Sequence, residues 1–284
     1  MITTTKTLYE NLYNRILPAA SSPGECRAIV LRIIEHFYNL DSISIAINKQ
    51  LSAPLSTDVL QEVVARLQKQ EPIQYILQKS HFLTREFMVS PAVLIPRPET
   101  EELVLRILRE NNLPHLHILD IATGSGCIAI TLQKELQAAH VDAIDIDEHA
   151  LKVAHHNAEQ HQVNITWHQL DILQDALPKH KWDIIVSNPP YVCMSEMQYM
   201  LPQVVAYEPA QALFVPDTSP LIFYERIIEQ ASESLTPKGK LYLEINEKFG
   251  NEVSALCQQY NFNGISLGKD IHNKDRFVIA TCSQ

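Results

Sequence analysis

Residues 116–130 read LHILDIATGSGCIAI, and the fold turns on how that stretch divides. Leu116, Ile118, Leu119 and Ile121 form a short branched apolar run of the kind that makes a buried strand. GCIAITLQKEL, which continues to Leu136, reads as a helix. Between them, Ala122-Thr123-Gly124-Ser125-Gly126 is a tight loop. Glycines at 124 and 126 let the backbone pass close to a bound group and adopt conformations that other residues avoid. Backbone N–H groups at the start of the following helix favour negative groups. Strand, glycine loop and helix together open a βαβ crossover.

Toward the C-terminus the alternation repeats. VDAIDI (141–146) is a second strand, and EHALKVAHHNAEQ (148–160) a second helix with Asp147 as its cap. NITWHQLDI (164–172) and WDIIVSN (182–188) supply strands three and four. Ser219 and Pro220 are expected to cap a helix that runs to about Leu235, and Thr236-Pro237-Lys238-Gly239 to turn the chain into the strand KLYLEIN (240–246). After one more helix, GISLG (264–268) and RFVIATC (276–282) are strands with no helix between them, and so an antiparallel pair. The pattern calls for an α/β fold with a doubly wound, mostly parallel sheet and helices on both faces.

Toward the N-terminus the character changes. In HFLTREFMVSPAVLIPRPETEELV (81–104), Phe82, Phe87 and Val89 suggest a short hairpin, and Pro91, Pro96 and Pro98 mark irregular chain. The first 75 or so residues read as helices. In SPGECRAIVLRIIEHF (22–37), Ser22 is the N-cap, Pro23 the first helical residue and Glu25 the partner in a capping box. Cys26, Ile29, Val30, Ile33 and Phe37 recur at helical spacing. STDVLQEVVARLQKQ (56–70) repeats the pattern with Leu60, Val63, Val64 and Leu67 on one side. The expected organisation is a small helical bundle over 1–75, a hairpin linker over 76–95 and the α/β domain over 96–284.

Composition narrows the classes. With 284 residues, 46% of them apolar, the chain is long enough for a sizeable core. No apolar run approaches the ~20 residues of a membrane helix, and the polar amphipathic start MITTTKTLYENLYNRI lacks the features of a signal peptide. The expected compartment is the cytoplasm, with no membrane partner. Cys26, Cys127, Cys193, Cys257 and Cys282 are scattered and never in a C-x-x-C pair, and the 12 His show no H-E-x-x-H spacing, so no metal is expected. A formal charge of −10, from 23 basic and 33 acidic residues, argues against a general nucleic-acid binder, whose affinity rests on Lys and Arg against phosphates.

Open parallel sheets bind ligands at the carboxyl ends of their strands. Asp145, at the end of strand two, suits the two hydroxyls of a ribose. A tight turn followed by a helix-capping aspartate accounts for the same residues more plainly. Gly124-x-Gly126-x-x-Ala129 formally satisfies a dinucleotide fingerprint, but Asp120 places a carboxylate where a pyrophosphate would sit. S-adenosyl-L-methionine fits better, offering an ammonium, a sulfonium, a ribose diol and an adenine without phosphate. Asp120 either faces that cation or ties down the loop. Asp171 and Ile172, after strand three, lie where an adenine reaches: the carboxylate can accept from its amine, and Ile172 can pack on the ring or donate its backbone N–H.

SNPPY (187–191) ends strand four. Two prolines cannot donate to a sheet ladder, so the chain leaves the sheet there. Asn188 faces the same cleft as the glycine loop if strand four lies beside strand one. Its side-chain oxygen and the Pro189 carbonyl then converge on one NH₂ group, Pro189 and Pro190 stiffen the pair, and Tyr191 offers a flat face to a planar guest. Such acceptors orient a delocalised, poorly nucleophilic nitrogen toward an electrophile and stabilise the positive charge that grows on it. An ordinary Asn-Pro turn uses the same residues.

With these residues in place, the chain resembles the HemK/PrmC family, the peptide chain release factor glutamine methyltransferases. The segments EPIQYIL, FMVSPAVLIPRPETEELV, ILDIATGSGCIAI, AIDID, SNPPYV and YEPAQAL carry the likeness, which runs from about Glu71 through KDRFVIA. IPRPETEEL sets it apart from the ribosomal-protein glutamine methyltransferases and from adenine methyltransferases of nucleic acids, which share the NPPY motif. The resemblance implies a seven-stranded sheet with an antiparallel last strand. It implies methyl transfer from S-adenosyl-L-methionine to the glutamine amide of the Gly-Gly-Gln motif in class-1 release factors. Residues 122–126, Asp145, Ile172 and Asn188 would bind cofactor. Asn188, Pro189, Pro190 and Tyr191 would bind the glutamine, with Asn188 and Pro189 catalytic. Read from the residues, the helical N-terminus would either help to recognise the protein substrate or simply cover the sheet edge. Ala122 stands where many relatives have glycine.

Overall fold

A computed structural model describes residues 4–51 and 57–283. The chain packs as two compact units, Met1–Lys79 with Leu201–Tyr207, and Ser80–Met200 with Glu208–Gln284.

The first unit is helical: α1 (Thr5–Ile16), α2 (Pro23–Tyr38), α3 (Ser42–Ala46), α4 (Thr57–Gln68) and α5 (Ile73–Leu77). Each long helix buries one stripe at helical spacing: Leu8, Leu12 and Ile16 from α1, Cys26, Val30, Ile33 and Ile34 from α2, Leu60, Val63, Val64 and Leu67 from α4. Ile29 and Phe37 rest at the margin of that core. The capping box of α2 closes one residue early. The Ser22 hydroxyl accepts from the Glu25 N–H at 3.1 Å, but the Glu25 carboxylate takes the N–H and hydroxyl of Ser21 instead of the Ser22 N–H. Ser56, which opens the α4 stretch, lies outside the described residues.

The hairpin of β1 (Lys79–Phe82) and β2 (Arg85–Met88) opens the second unit, apart from its first residue, Lys79. Phe82 and Phe87 are fully buried in the core of this unit. Asn157 holds Met88 by both backbone groups, accepting from its N–H at 2.7 Å and donating to its carbonyl at 3.0 Å. Helices α6 (Pro98–Glu110), α7 (Cys127–Glu135), α8 (Glu148–His161), α10 (Ile222–Ser234) and α11 (Gly250–Gln259) surround the sheet, while α9 (Pro202–Tyr207) belongs to the first unit.

The sheet has seven strands: β3 (His117–Ile121), β4 (His140–Asp145), β5 (Thr166–Gln169), β6 (Trp182–Ser187), β9 (Leu235–Glu244), β10 (Phe262–Lys269) and β11 (Asp275–Cys282); β7 (Val192–Cys193) and β8 (Phe214–Val215) pair separately. Its order is β10-β11-β9-β6-β3-β4-β5, and β11 runs antiparallel between β9 and β10. Alternation along each strand splits the apolar residues between two faces. Ile118 and Ile184 pack with Leu103 of α6 and Ile128 of α7. Leu119 and Ile185 pack with Tyr224 and Ile227 of α10 and Val253 of α11.

Two local expectations change. Helix α10 starts at Ile222 with no side-chain cap; it is the Ser219 carbonyl, not its hydroxyl, that receives the Ile222 N–H, at 3.3 Å. The Thr236–Gly239 turn lies inside β9 as a register shift against β6, with Lys238 at φ +66°.

Parallel register builds the site. Ile144, Ile121, Ser187 and Leu243 stand level on β4, β3, β6 and β9. The residues that follow them, Asp145, Ala122, Asn188 and Glu244, form one row along the carboxyl edge. No helix among the described residues is long and apolar enough to cross a membrane.

Candidate active site

A pocket of about 230 Å³ opens above this row. Ala122, Thr123, Gly124 and Ser125 of the glycine loop line it, with Asp145, Asp171, Ile172, Asn188 and Pro190. Gly126, Pro189 and Tyr191 are not on its wall. The segment before α6 adds Arg97, and α6 adds Thr100.

The loop needs three left-handed residues in close succession: Ala122 (φ +60°), Gly124 (+54°) and Gly126 (+79°). The two glycines serve different ends. A Cβ on Gly124 would meet nothing within 4 Å, so the bare backbone faces open space; on Gly126 it would press Ile130, Ala154 and the Trp167 ring at 3.1–3.3 Å. Gly124 permits approach from the pocket, and Gly126 permits packing beneath it. Ala122 adopts the left-handed conformation at a cost of about 1–2 kcal/mol.

Asp120 and Asp145 clamp the loop from below and from the side. Asp120 is fully buried, and one oxygen accepts from the Thr123 hydroxyl at 2.6 Å and the Ala129 N–H at 3.1 Å. Its other oxygen has no partner among the described residues. Burial pushes this carboxyl up to about 7 against those two hydrogen bonds. Of the two readings of Asp120, the geometry favours the brace. Asp145 accepts from the Gly124 N–H at 2.9 Å through one oxygen and the Asp147 N–H at 3.0 Å through the other. Burial raises it too. Each of its oxygens keeps a lone pair for a hydroxyl.

Asp171 spends its carboxylate locally, accepting from Leu173 N–H and the Gln174 amide at 2.9 Å each. The Ile172 carbonyl takes Arg226 and Gln230, and its side chain is buried in the pocket wall. Ile146 also lines the pocket and is 54% exposed. It directly follows Asp145 and was not singled out from sequence.

On the other side, Asn188 donates from Nδ2 to the Thr100 hydroxyl oxygen at 3.1 Å. Thr100 donates to Glu244 at 2.7 Å, and the Tyr191 phenol donates to the other Glu244 oxygen at 3.1 Å. Glu244 is buried, which pushes it up to about 7, opposed by these two hydrogen bonds and by Arg276. Sequence reading assigned chemistry to neither Thr100 nor Glu244. The available signal was an acidic residue at the end of the otherwise apolar KLYLE run. Arg97 pairs with buried Glu208 at 2.6 Å, and Glu208 also accepts the Ile95 N–H at 3.2 Å, which ties the IPRPE and YEPAQAL segments together.

Comparison with known proteins accords with this geometry. The family described as Methyltransferase small domain matches residues 99–215. A solved methyltransferase structure from Pyrococcus furiosus aligns with a TM-score of 0.53 at 20% identity, over 70% of this chain and 89% of that one, a likeness of fold. A release factor glutamine methyltransferase of Bacteroides thetaiotaomicron is 44% identical over 261 residues, which is 91% of this chain and 93% of the relative. One from Flavobacterium psychrophilum is 41% identical over 276 residues, 95% and 96% of the two chains. A glycine loop, a strand-end carboxylate and Asn-Pro-Pro-Tyr on one sheet edge, in a chain so close to these proteins over nearly its whole length, place it in the family of release factor glutamine methyltransferases.

Proposed function

We propose that this chain methylates the side-chain amide nitrogen of the glutamine in the Gly-Gly-Gln motif of class-1 release factors, in the cytoplasm, with S-adenosyl-L-methionine as donor. The observation that carries the reading is the single row of Asp145, Ala122, Asn188 and Glu244 at the carboxyl edge, which sets a nucleoside-binding loop beside an amide-binding motif.

The residues present fit the donor. Gly124 leaves room at the pocket floor, Asp145 retains acceptor capacity for a ribose diol, and Ile146 and Ile172 offer apolar surface to an adenine. Thr123 and Ser125 complete the loop side. Asp171 shapes the turn that presents Ile172. When bound, S-adenosyl-L-methionine supplies an electrophilic methyl carbon on a sulfonium, and its transfer leaves a neutral thioether.

The chain's own part is orientation. Asn188 Oδ1 and the Pro189 carbonyl accept the two hydrogens of the glutamine NH₂, which aims the nitrogen lone pair along the line of transfer. The same acceptors stabilise the charge that develops on nitrogen. Pro190 stiffens the turn, and the nitrogen releases one proton to solvent. Tyr191, whose hydroxyl is tied to Glu244, holds the motif against the sheet.

Mass spectrometry of a release factor after incubation with the enzyme and labelled donor tests this. One methyl group on the Gly-Gly-Gln glutamine is the expected result. Label found only on nucleic acid, or only on a ribosomal protein, would replace the reading with that of a related amino-group methyltransferase.

A further inference from the structure

We propose that Thr100 and Glu244 are positioning residues that fix which way round the Asn188 carboxamide sits, so that its oxygen and not its nitrogen meets the substrate amide. The inference rests on the function proposed above.

The two ends of a carboxamide are nearly equal in shape, but only the oxygen accepts. Nothing in Asn188 itself chooses between them, so the choice falls to its neighbour. Asn188 Nδ2 lies 3.1 Å from Thr100 Oγ1. The single Thr100 hydroxyl proton points to Glu244 Oε2 at 2.7 Å, and Tyr191 donates to Glu244 Oε1 at 3.1 Å. Burial and Glu99 raise this carboxyl to about 7 against the two donors and Arg276, so above about pH 7 it is ionised and acceptor-only. With its proton committed to Glu244, Thr100 has only an acceptor left for Asn188. The amide must therefore offer N–H to Thr100, and a flip would set two acceptors against each other. Asn188 Oδ1 is turned away from Thr100 and left for a guest.

The parts converge from three places. Thr100 lies in the first turn of α6, Glu244 at the end of β9, and Asn188 just past β6. Thr100 is buried and lines the same pocket as Asn188.

Single-turnover transfer to a release factor, measured for Thr100→Val, Thr100→Ser, Asn188→Ala and the Thr100→Val/Asn188→Ala pair, tests the chain. Valine keeps the shape of threonine and removes the hydroxyl; it should slow transfer about 10- to 100-fold. Binding of S-adenosylhomocysteine and of the factor should stay within about threefold. Serine should restore most of the lost rate. In the Asn188→Ala background, Thr100→Val should cost less than about twofold further, because it acts only through Asn188. Glu244→Gln, which can present an N–H to Thr100 and reverse the chain, should slow transfer similarly, and it carries the same cycle if Thr100→Val does not fold.

Near-normal transfer by Thr100→Val and Glu244→Gln, alongside a strongly slowed Asn188→Ala, would overturn the positioning role and leave the proposed reaction intact. Independent, multiplying losses in the double variant would overturn it as well. Near-normal transfer by Asn188→Ala would overturn both.

Discussion

On one side of the pocket, backbone N–H groups of Gly124, Ala129 and Asp147 run to two carboxylates, Asp145 and Asp120. On the other, side chain meets side chain in a line from Asn188 through Thr100 and Glu244 to Tyr191. The loop side shapes main chain around a ligand that many enzymes share. The Asn188 side, on the proposed reading, orients one polar group toward one kind of guest. The difference teaches where tolerance lies: the first side should yield binding energy when cut, and the second should yield rate.

The widest separation between the sides should come from Asn188→Ala. Loss of an acceptor used as charge develops should lower turnover by about 10²–10³-fold or more, with affinity for S-adenosylhomocysteine nearly unchanged by calorimetry. A matching fall in cofactor affinity would blur the two sides into one.

The next contrast is in pH. Asp120 and Glu244 are both raised to about 7, chiefly by burial. In the unfolded chain they ionise near ordinary carboxylate values, so between about pH 4 and 7 the folded state holds more protons. Stability contributed by each group is therefore full at the acid end and is lost as pH rises toward 7, on the order of 1.4 kcal/mol per pH unit while the difference in protonation is complete. Denaturant melts at pH 5 and 7 should show wild type losing more stability over this interval than Asp120→Asn. Equal slopes would remove the burial argument for Asp120.

Asp145→Ala should act on the loop side alone. Losing a charged acceptor for hydroxyls and for the Gly124 N–H should weaken S-adenosylhomocysteine binding by about 10- to 100-fold, or ~1.5–3 kcal/mol. The transfer rate at saturating donor should fall far less.

The smallest contrast lies within the loop. Gly126→Ala must both hold φ +79° and push on Trp167, Ala154 and Ile130, whereas Gly124→Ala meets only the conformational cost. Thermal melts should show the first destabilised by about 2 kcal/mol or more and the second by about 1 kcal/mol. The second should instead lose donor affinity.

How legible each side was follows from how it is held. Strand, glycine loop and helix are neighbours in sequence, and Asp145 ends the next strand, so periodicity and turn chemistry reveal their arrangement. The missing helix between the last two strands revealed their antiparallel pairing, but the insertion of β11 beside β9 was not legible, because neither crossover handedness nor loop length fixes strand order. Asn188 was visible because a strand that ends on two prolines needs a reason. Thr100 and Glu244 were not, because their partners lie 88 and 144 residues away in sequence, and no local pattern marks a hydroxyl that will be buried against a distant carboxylate. Asp120 stayed ambiguous for a related reason: a carboxylate at a strand end looks the same whether it faces a ligand or its own loop. Ser219 misled because its hydroxyl suits a cap, while Leu221 takes that position.

The insertion of β11 between β9 and β10 bears on how the molecule assembles. β10 precedes β11 in the chain but has no place on the sheet until β11 has paired with β9. Until β11 docks, alone or already paired with β10, the strand that carries Glu244 has a bare rim of unpaired amides, an edge open to pairing with a neighbouring polypeptide. Glu244 pairs with Phe277 of β11, so if β11 docks last, refolding followed by donor binding should recover sooner than refolding followed by methyl transfer.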